Sequence, residues 1–210
     1  MKISSRSFRD GGPIPGRCAF CIRSPRGHVA LAQNLNPQLS WSHAPASTRS
    51  FVVTCIDGDA PTRPDDVNQP GRIVPANLPR AEFVHWLMVD IPPHITAIAE
   101  GACSRGMTAT GKTDPAGPEG ARQGVNDYTG WFAGDKDMAG TYLGYDGPCP
   151  PWNDARVHHY RFTVHATDLE RCPVNPAYTL KDLRGALAGH ILASASLSGR
   201  YSLNPQFRLG

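Results

Sequence analysis

The sequence predicts a mainly β protein, a β-sandwich with minor helical decoration. Three features carry that expectation. Apolar, β-branched and aromatic runs of strand length recur along the chain, turn-rich segments separate them, and a single well-marked helix comes late. With 21 glycines and 20 prolines in 210 residues, the composition argues against a helical bundle.

The strands follow in order. Around Trp41, "NPQLSWSHAPAST" reads as a short strand between turns. Ser50 to Ile56 is β-branched and aromatic. Phe83 to Ile91, "FVHWLMVDI", is apolar on both faces, as in a central strand covered on each side. His159 to Ala166 alternates, with Tyr160, Phe162, Val164 and Ala166 on one face and His159, Arg161, Thr163 and His165 on the other. The helix is announced by Thr179 and Asp182, a capping box with an acid in place of Glu or Gln. Leu180, Leu183, Leu187 and Ile191 then form one stripe, Gly185 and Gly189 weaken it, and Gly199 offers a stop.

Charge and length exclude several classes. The net charge of +3 is mild and the basic residues are scattered, so no nucleic acid is expected. No window approaches the roughly 18 apolar residues of a membrane span, so no transmembrane segment is expected. The N-terminal "MKISSRSFRDGGPIPGR" lacks an apolar signal-peptide centre, and the reading is a cytoplasmic protein. In that compartment the six cysteines are expected as thiols. Cys18 and Cys21 form a single C-x-x-C with no second pair for a structural zinc site.

Chemistry-bearing residues gather at strand ends. "CIDGDAPTR" closes the second strand with Asp57 and Asp59, which share parity with Phe51, Val53 and Cys55. The pair is either a solvated Asp-Gly-Asp turn or the corner of a pocket. By parity His85 shares its face with Phe83, Leu87 and Val89, as a satisfied core histidine or a pocket group. His158 and Tyr160 open the face that continues through Phe162. Before them, Gly147-Pro148-Cys149-Pro150-Pro151 is a stiff segment with few backbone donors. It suits a pocket wall or a simple connector.

Taken in order, Asn36-Pro37 with Leu39 and Trp41, Asp57-Gly-Asp59-Ala-Pro61, His85, and Gly147-Pro-Cys-Pro-Pro151 leading to His158-His159-Tyr160 resemble the phosphatidylethanolamine-binding protein family. That family includes Raf-kinase-inhibitor-like proteins and plant flowering regulators. The late "LRGALAGHILASASLSGRY" resembles the C-terminal helix of bacterial members, and the resemblance runs from Asn34 to Tyr201.

The resemblance implies a single domain over 1–210 with an N-terminal segment 1–33 and long loops 62–80 and 101–130. Its fold would be a large antiparallel sheet packed on a smaller one, with a C-terminal helix. It also implies a pocket for a small anion, phosphate or phospholipid head group, without a cofactor. Asp57, Pro61, His85, His158 and Tyr160 would line that pocket, Asp59 would brace its loop, and Pro148 and Pro151 would wall it. Gly58 replaces the proline common between the aspartates, Phe83 stands for a tryptophan, and Trp152-Asn153 is expected to narrow the mouth. The 62–80 loop is expected to gate the entrance or form a homodimer contact.

Three functions compete at this point. The first is a non-catalytic binding protein. The second is an interaction protein that inhibits a kinase or protease through surface loops, with a protein partner. The third, least favoured, is a metal-assisted hydrolase using Asp57, Asp59, His85, His158 and His159. No nucleophile elbow, zinc-protease helix or phosphate-binding loop is present in the sequence.

Overall fold

The computed structural model describes residues 1–209. The central layer is a five-stranded antiparallel sheet in the order β10-β9-β5-β6-β8, formed by β5 (Ser50–Pro61), β6 (Arg80–Ile91), β8 (Arg122–Gln123), β9 (His158–Thr167) and β10 (Ile191–Tyr201). A three-stranded sheet in the order β1-β4-β7 combines β1 (Lys2–Ser4), β4 (Leu39–Ser42) and β7 (Ala97–Ile98). A hairpin of β2 (Cys21–Ser24) and β3 (His28–Leu31) stands apart. The helices are short: α1 (Tyr128–Trp131) and α2 (Leu180–Ala186).

The long sheet is covered on both faces. Phe51, Val53, Trp86, Met88, Phe162 and Val164 pack with Leu39, Trp41 and Ile98 of the smaller sheet. On the outer face Val52, Val84, Leu87 and Val89 pack under Tyr178 and under Leu183 of α2. This is why β6 is apolar on both faces. Burying Leu183 is worth about 1.5–3 kcal/mol, enough to hold α2 despite Gly185. The capping box forms as the sequence suggests: Thr179 accepts from the Asp182 amide, and the Asp182 carboxylate accepts from the Thr179 amide.

The late helix is much shorter than its apolar stripe. It ends before Gly189, whose φ of +81° is left-handed, and residues from Ile191 onward form β10. The reason is a competing period. Ala193, Ala195, Leu197, Gly199 and Tyr201 alternate inward against β9, so pairing along a whole strand outweighs two more helical turns.

β5 and β6 contain three irregularities in their pairing. Cys55 pairs with Trp86 but Ile56 with Val84, leaving His85 as an extra residue on β6. Asp57 pairs with Phe83 but Ala60 with Ala81, which puts the extra residue on β5 at Gly58-Asp59. These two bulges, not the strand parity alone, place the candidate site.

Candidate functional site

A cavity of about 460 Å³ opens at the end of the long sheet where β5, β6 and β9 carry their polar residues. Its floor holds Asp57, His85, His158 and Tyr160, and Pro61 and Pro151 stand on its sides. Asp57, His85, His158 and Tyr160 are all buried.

The first bulge aims His85 into this space. Strict alternation would put His85 with Leu87 and Val89. Instead those two face α2, while His85 turns to the inner side with Phe83, Tyr128 and Tyr160, at ring-centroid distances of 5.0 to 5.6 Å. Its Nδ1 lies 2.7 Å from the Asp146 carbonyl oxygen, which can only accept, so Nδ1 carries the proton. Burial lowers the His85 pKa, and the nearby carboxylates of Asp57, Asp127 and Asp146 offset this only in part.

The second bulge separates the two aspartates. Asp57 points inward and its Oδ1 accepts from the Asp59 amide at 2.7 Å, an Asx turn that shapes the corner. Asp59 points to the opposite face, where its carboxylate accepts from the His159 amide and pairs with the His159 ring and Arg156. The expected same-side pair therefore does not exist. Asp59 braces the corner from outside and does not line the cavity.

Two residues outside the expected set organise the floor. His158 Nδ1 lies 2.6 Å from Asp57 Oδ2, and its Nε2 lies 3.0 Å from Asp154 Oδ2. Each nitrogen faces a carboxylate, so both donate and the ring is the imidazolium. Burial alone would lower its pKa; Asp57 and Asp154 outweigh that and raise it to about 9. Asp154 is also held by a two-pronged contact with the Arg80 guanidinium, at 2.6 and 3.0 Å. Burial opposes ionisation of Asp154, but its bonds to His158 and Arg80 hold its pKa below the usual carboxylate value. Arg80 also donates to the carbonyls of Asp59, Pro75 and Leu78, tying the 62–80 loop to the floor.

Tyr160 has an unusual position. Its hydroxyl is fully buried and has no hydrogen-bond partner among the described residues, although its ring borders the cavity. Burial and the negative charge of Asp57 raise its pKa well above that of an ordinary phenol, so it stays a donor. A buried unpaired hydroxyl costs about 1–3 kcal/mol. Its ring lies against His85 at the cavity floor.

The walls are aromatic. Phe20 stacks on Tyr128 at 4.6 Å, and Tyr128 on Phe132 at 5.6 Å. Tyr128, which no sequence motif singles out, donates to the Gly147 carbonyl at 2.8 Å and so fixes the proline-rich wall. Gly147 itself is required, because a Cβ there would collide with the Cys18 carbonyl. Pro148 does not line the cavity; its carbonyl accepts from the Phe20 and Cys21 amides and anchors the wall from behind.

The expectation for the cysteines is corrected here. Cys21 and Cys149 are joined in a disulfide across 128 positions, and both border the cavity. Cys18, Cys55, Cys103 and Cys172 are free and buried. Trp152 stacks on His28 at 3.8 Å instead of closing the mouth. Asn153 staples the 62–80 loop through the carbonyls of Asp66, Gln69 and Arg72. From that loop, Thr62, Arg63, Pro64, Val67 and Asn68 reach the cavity rim.

The phosphatidylethanolamine-binding protein family model matches residues 4–202. The UPF0098 protein YbhB of Escherichia coli is 32% identical over 207 residues, covering 96% of this chain and all of YbhB. A UPF0098 protein of Methanothermobacter thermautotrophicus is 29% identical, with 96% and 98% covered. Among solved structures, E. coli YbcL, presented as a new member of the mammalian PEBP family, superposes with a TM-score of 0.69 at 29% identity, covering 96% of this chain and 97% of YbcL. CT736 of Chlamydia trachomatis, a putative PEBP homolog, gives 0.64 at 25% identity, with 96% of each chain covered.

Proposed function

The chain belongs to the phosphatidylethanolamine-binding protein family, and from that premise we propose that it is a non-catalytic binding protein whose cavity takes a small oxyanion or a phosphorylated head group. One observation carries this reading: the Tyr160 hydroxyl, buried and unpartnered beside His85, needs an acceptor that the protein does not supply. A phosphoryl or carboxylate oxygen in the cavity is that acceptor.

The surroundings support binding over chemistry. Both nitrogens of His158 are committed to carboxylates, which leaves it no lone pair for a metal or a proton relay. Cys149 is tied in a disulfide and offers no thiolate. The rim carries Phe83, Phe132, Leu31 and Trp131, the last two well exposed, so the apolar body behind a lipid head group such as phosphatidylethanolamine has a surface to lie on. The Cys21–Cys149 bond favours an oxidising compartment over the cytoplasm expected from the sequence.

The test is a calorimetric titration with phosphate, phosphoethanolamine and acetate, on wild type and on Tyr160→Phe. Saturable binding to wild type, weakened roughly tenfold in the folded variant, is the expected result. Equal binding by both proteins would remove Tyr160 from the site and with it the basis of this reading.

A further inference from the structure

The protonation pattern of the floor narrows the ligand further. Asp146 is locked behind His85: its carboxylate accepts from Lys112 at 2.6 Å, Asn34 at 2.7 Å and Asn126 at 2.8 Å. Its amide also donates to the His85 carbonyl, so the Asp146 carbonyl is held where it takes the Nδ1 proton. Burial lowers the His85 pKa, and in the neutral ring with Nδ1 protonated the lone pair sits on Nε2, for which no protein partner exists among the described residues.

No unpaired cation lies on the buried floor of the cavity. Arg80 is consumed by Asp154 and three backbone carbonyls, and His158 lies between two carboxylates. The charges of Asp57, Asp154, His158 and Arg80 cancel. Arg63 reaches only the exposed rim. Resting on the oxyanion reading above, we infer that the floor selects a phosphoryl group in its singly charged, P–OH form. Its hydroxyl donates toward His85 Nε2, and its unprotonated oxygen accepts from Tyr160.

A doubly charged phosphoryl group would set bare oxygens against the His85 lone pair and the Asp57 carboxylate, with no unpaired cation on the floor to offset the repulsion. Sulfate carries no proton near neutral pH and meets the same difficulty. The titratable groups around His85 are Asp57 from β5, Tyr160 from β9, Asp127 and Tyr128 at α1, and Asp146 behind the ring, itself paired with Lys112. Burial outweighs these carboxylates and keeps the ring neutral.

The experiment uses the intact oxidised protein and methyl phosphate at pH 7.5, where a free monoester, with a second pKa of about 6, is mostly the dianion. The ³¹P shift of bound methyl phosphate is expected at the monoanion position. Calorimetry in two buffers of different ionisation enthalpy is expected to show uptake of about one proton. Affinity is expected to fall about tenfold per pH unit above this ionisation. Sulfate, and dimethyl phosphate, which has the right charge but no P–OH, are expected to bind at least roughly tenfold more weakly. A bound ³¹P shift at the dianion position, with sulfate equal to methyl phosphate, would overturn this inference and leave the oxyanion pocket intact. Ethanolamine alone binding as tightly would make the donor an ammonium group and would equally overturn it. Binding by none of these probes would remove both readings.

Discussion

Asp57 with His158 and Asp59 with His159 are the same residue types on the same two strands, at 2.6 and 2.8 Å. One pair is sealed inside, with side chains 4% and 1% exposed; the other sits outside, at 16% and 56%. The inner pair joins Asp154 and Arg80 in a closed charge network on the cavity floor. The outer pair borders a broad groove of about 860 Å³ under α2, with Arg161, His165, Glu82 and Arg184 around it. Identical chemistry thus yields a buried, closed charge network on one face and a more exposed pair on the other. Burial makes the difference, and a single extra residue at Gly58-Asp59 decides which aspartate is buried.

Substitution should break that symmetry most visibly. Asp57→Ala leaves a buried imidazolium with half its partners and is expected to cost about 3–5 kcal/mol in urea unfolding. The matched Asp59→Ala is expected to stay within about 1 kcal/mol, as for an exposed ion pair. Similar losses in the two variants would mean that burial is not what separates the pairs.

The inner wall alone is covalently braced. Cys149→Ser is expected to lower stability by about 2–4 kcal/mol, and wild type treated with a dithiol reductant should fall to the same value. An unchanged unfolding midpoint in reductant would show that the 18–21 segment is held by its hydrogen bonds alone. These come from the Tyr145 and Tyr201 hydroxyls and from backbone donation to Pro148.

The pH dependence sharpens the contrast. The folded His158 pKa is raised from 6.5 to about 9, so the native state holds a proton that the unfolded chain releases. Its contribution, roughly 1–3 kcal/mol, is fully present below pH 6.5 and is lost as pH rises through about 9. Urea midpoints measured across that window should fall in wild type and stay flat in a folded His158→Gln variant. The smallest effect is expected outside. His159→Gln and Thr163→Ala should each change stability by about 0.5 kcal/mol or less, measured by the same unfolding curves.

Much of this was legible in the sequence. Motif order pointed to the family, and alternation in 159–166 placed Tyr160 and Phe162 inward, where they lie. What escaped depended on strand register or on contacts across the chain. The bulge at His85 reverses the parity of its neighbours, and no local residue marks it. The Cys21–Cys149 pairing requires the folded path between cysteines 128 positions apart. Arg80 and Asp154 meet only because the 62–80 segment folds back on the proline-rich wall, a contact between positions 74 apart that no local pattern marks. The strand from Ile191 carried its own alternation, hidden under a helical leucine stripe that begins at Leu180.

The most direct test of an inner binding site set against an inert outer face is an amide chemical-shift map of the isotope-labelled protein, with phosphoethanolamine added to saturation. The expected perturbations gather at Phe20, Phe83, His85, Tyr128, Cys149 and Tyr160, while Ile56, Asp59, His159, Arg161 and His165 stay still. Perturbations concentrated on the groove under α2, with the cavity residues silent, would contradict this assignment and move the site to the other face of the sheet.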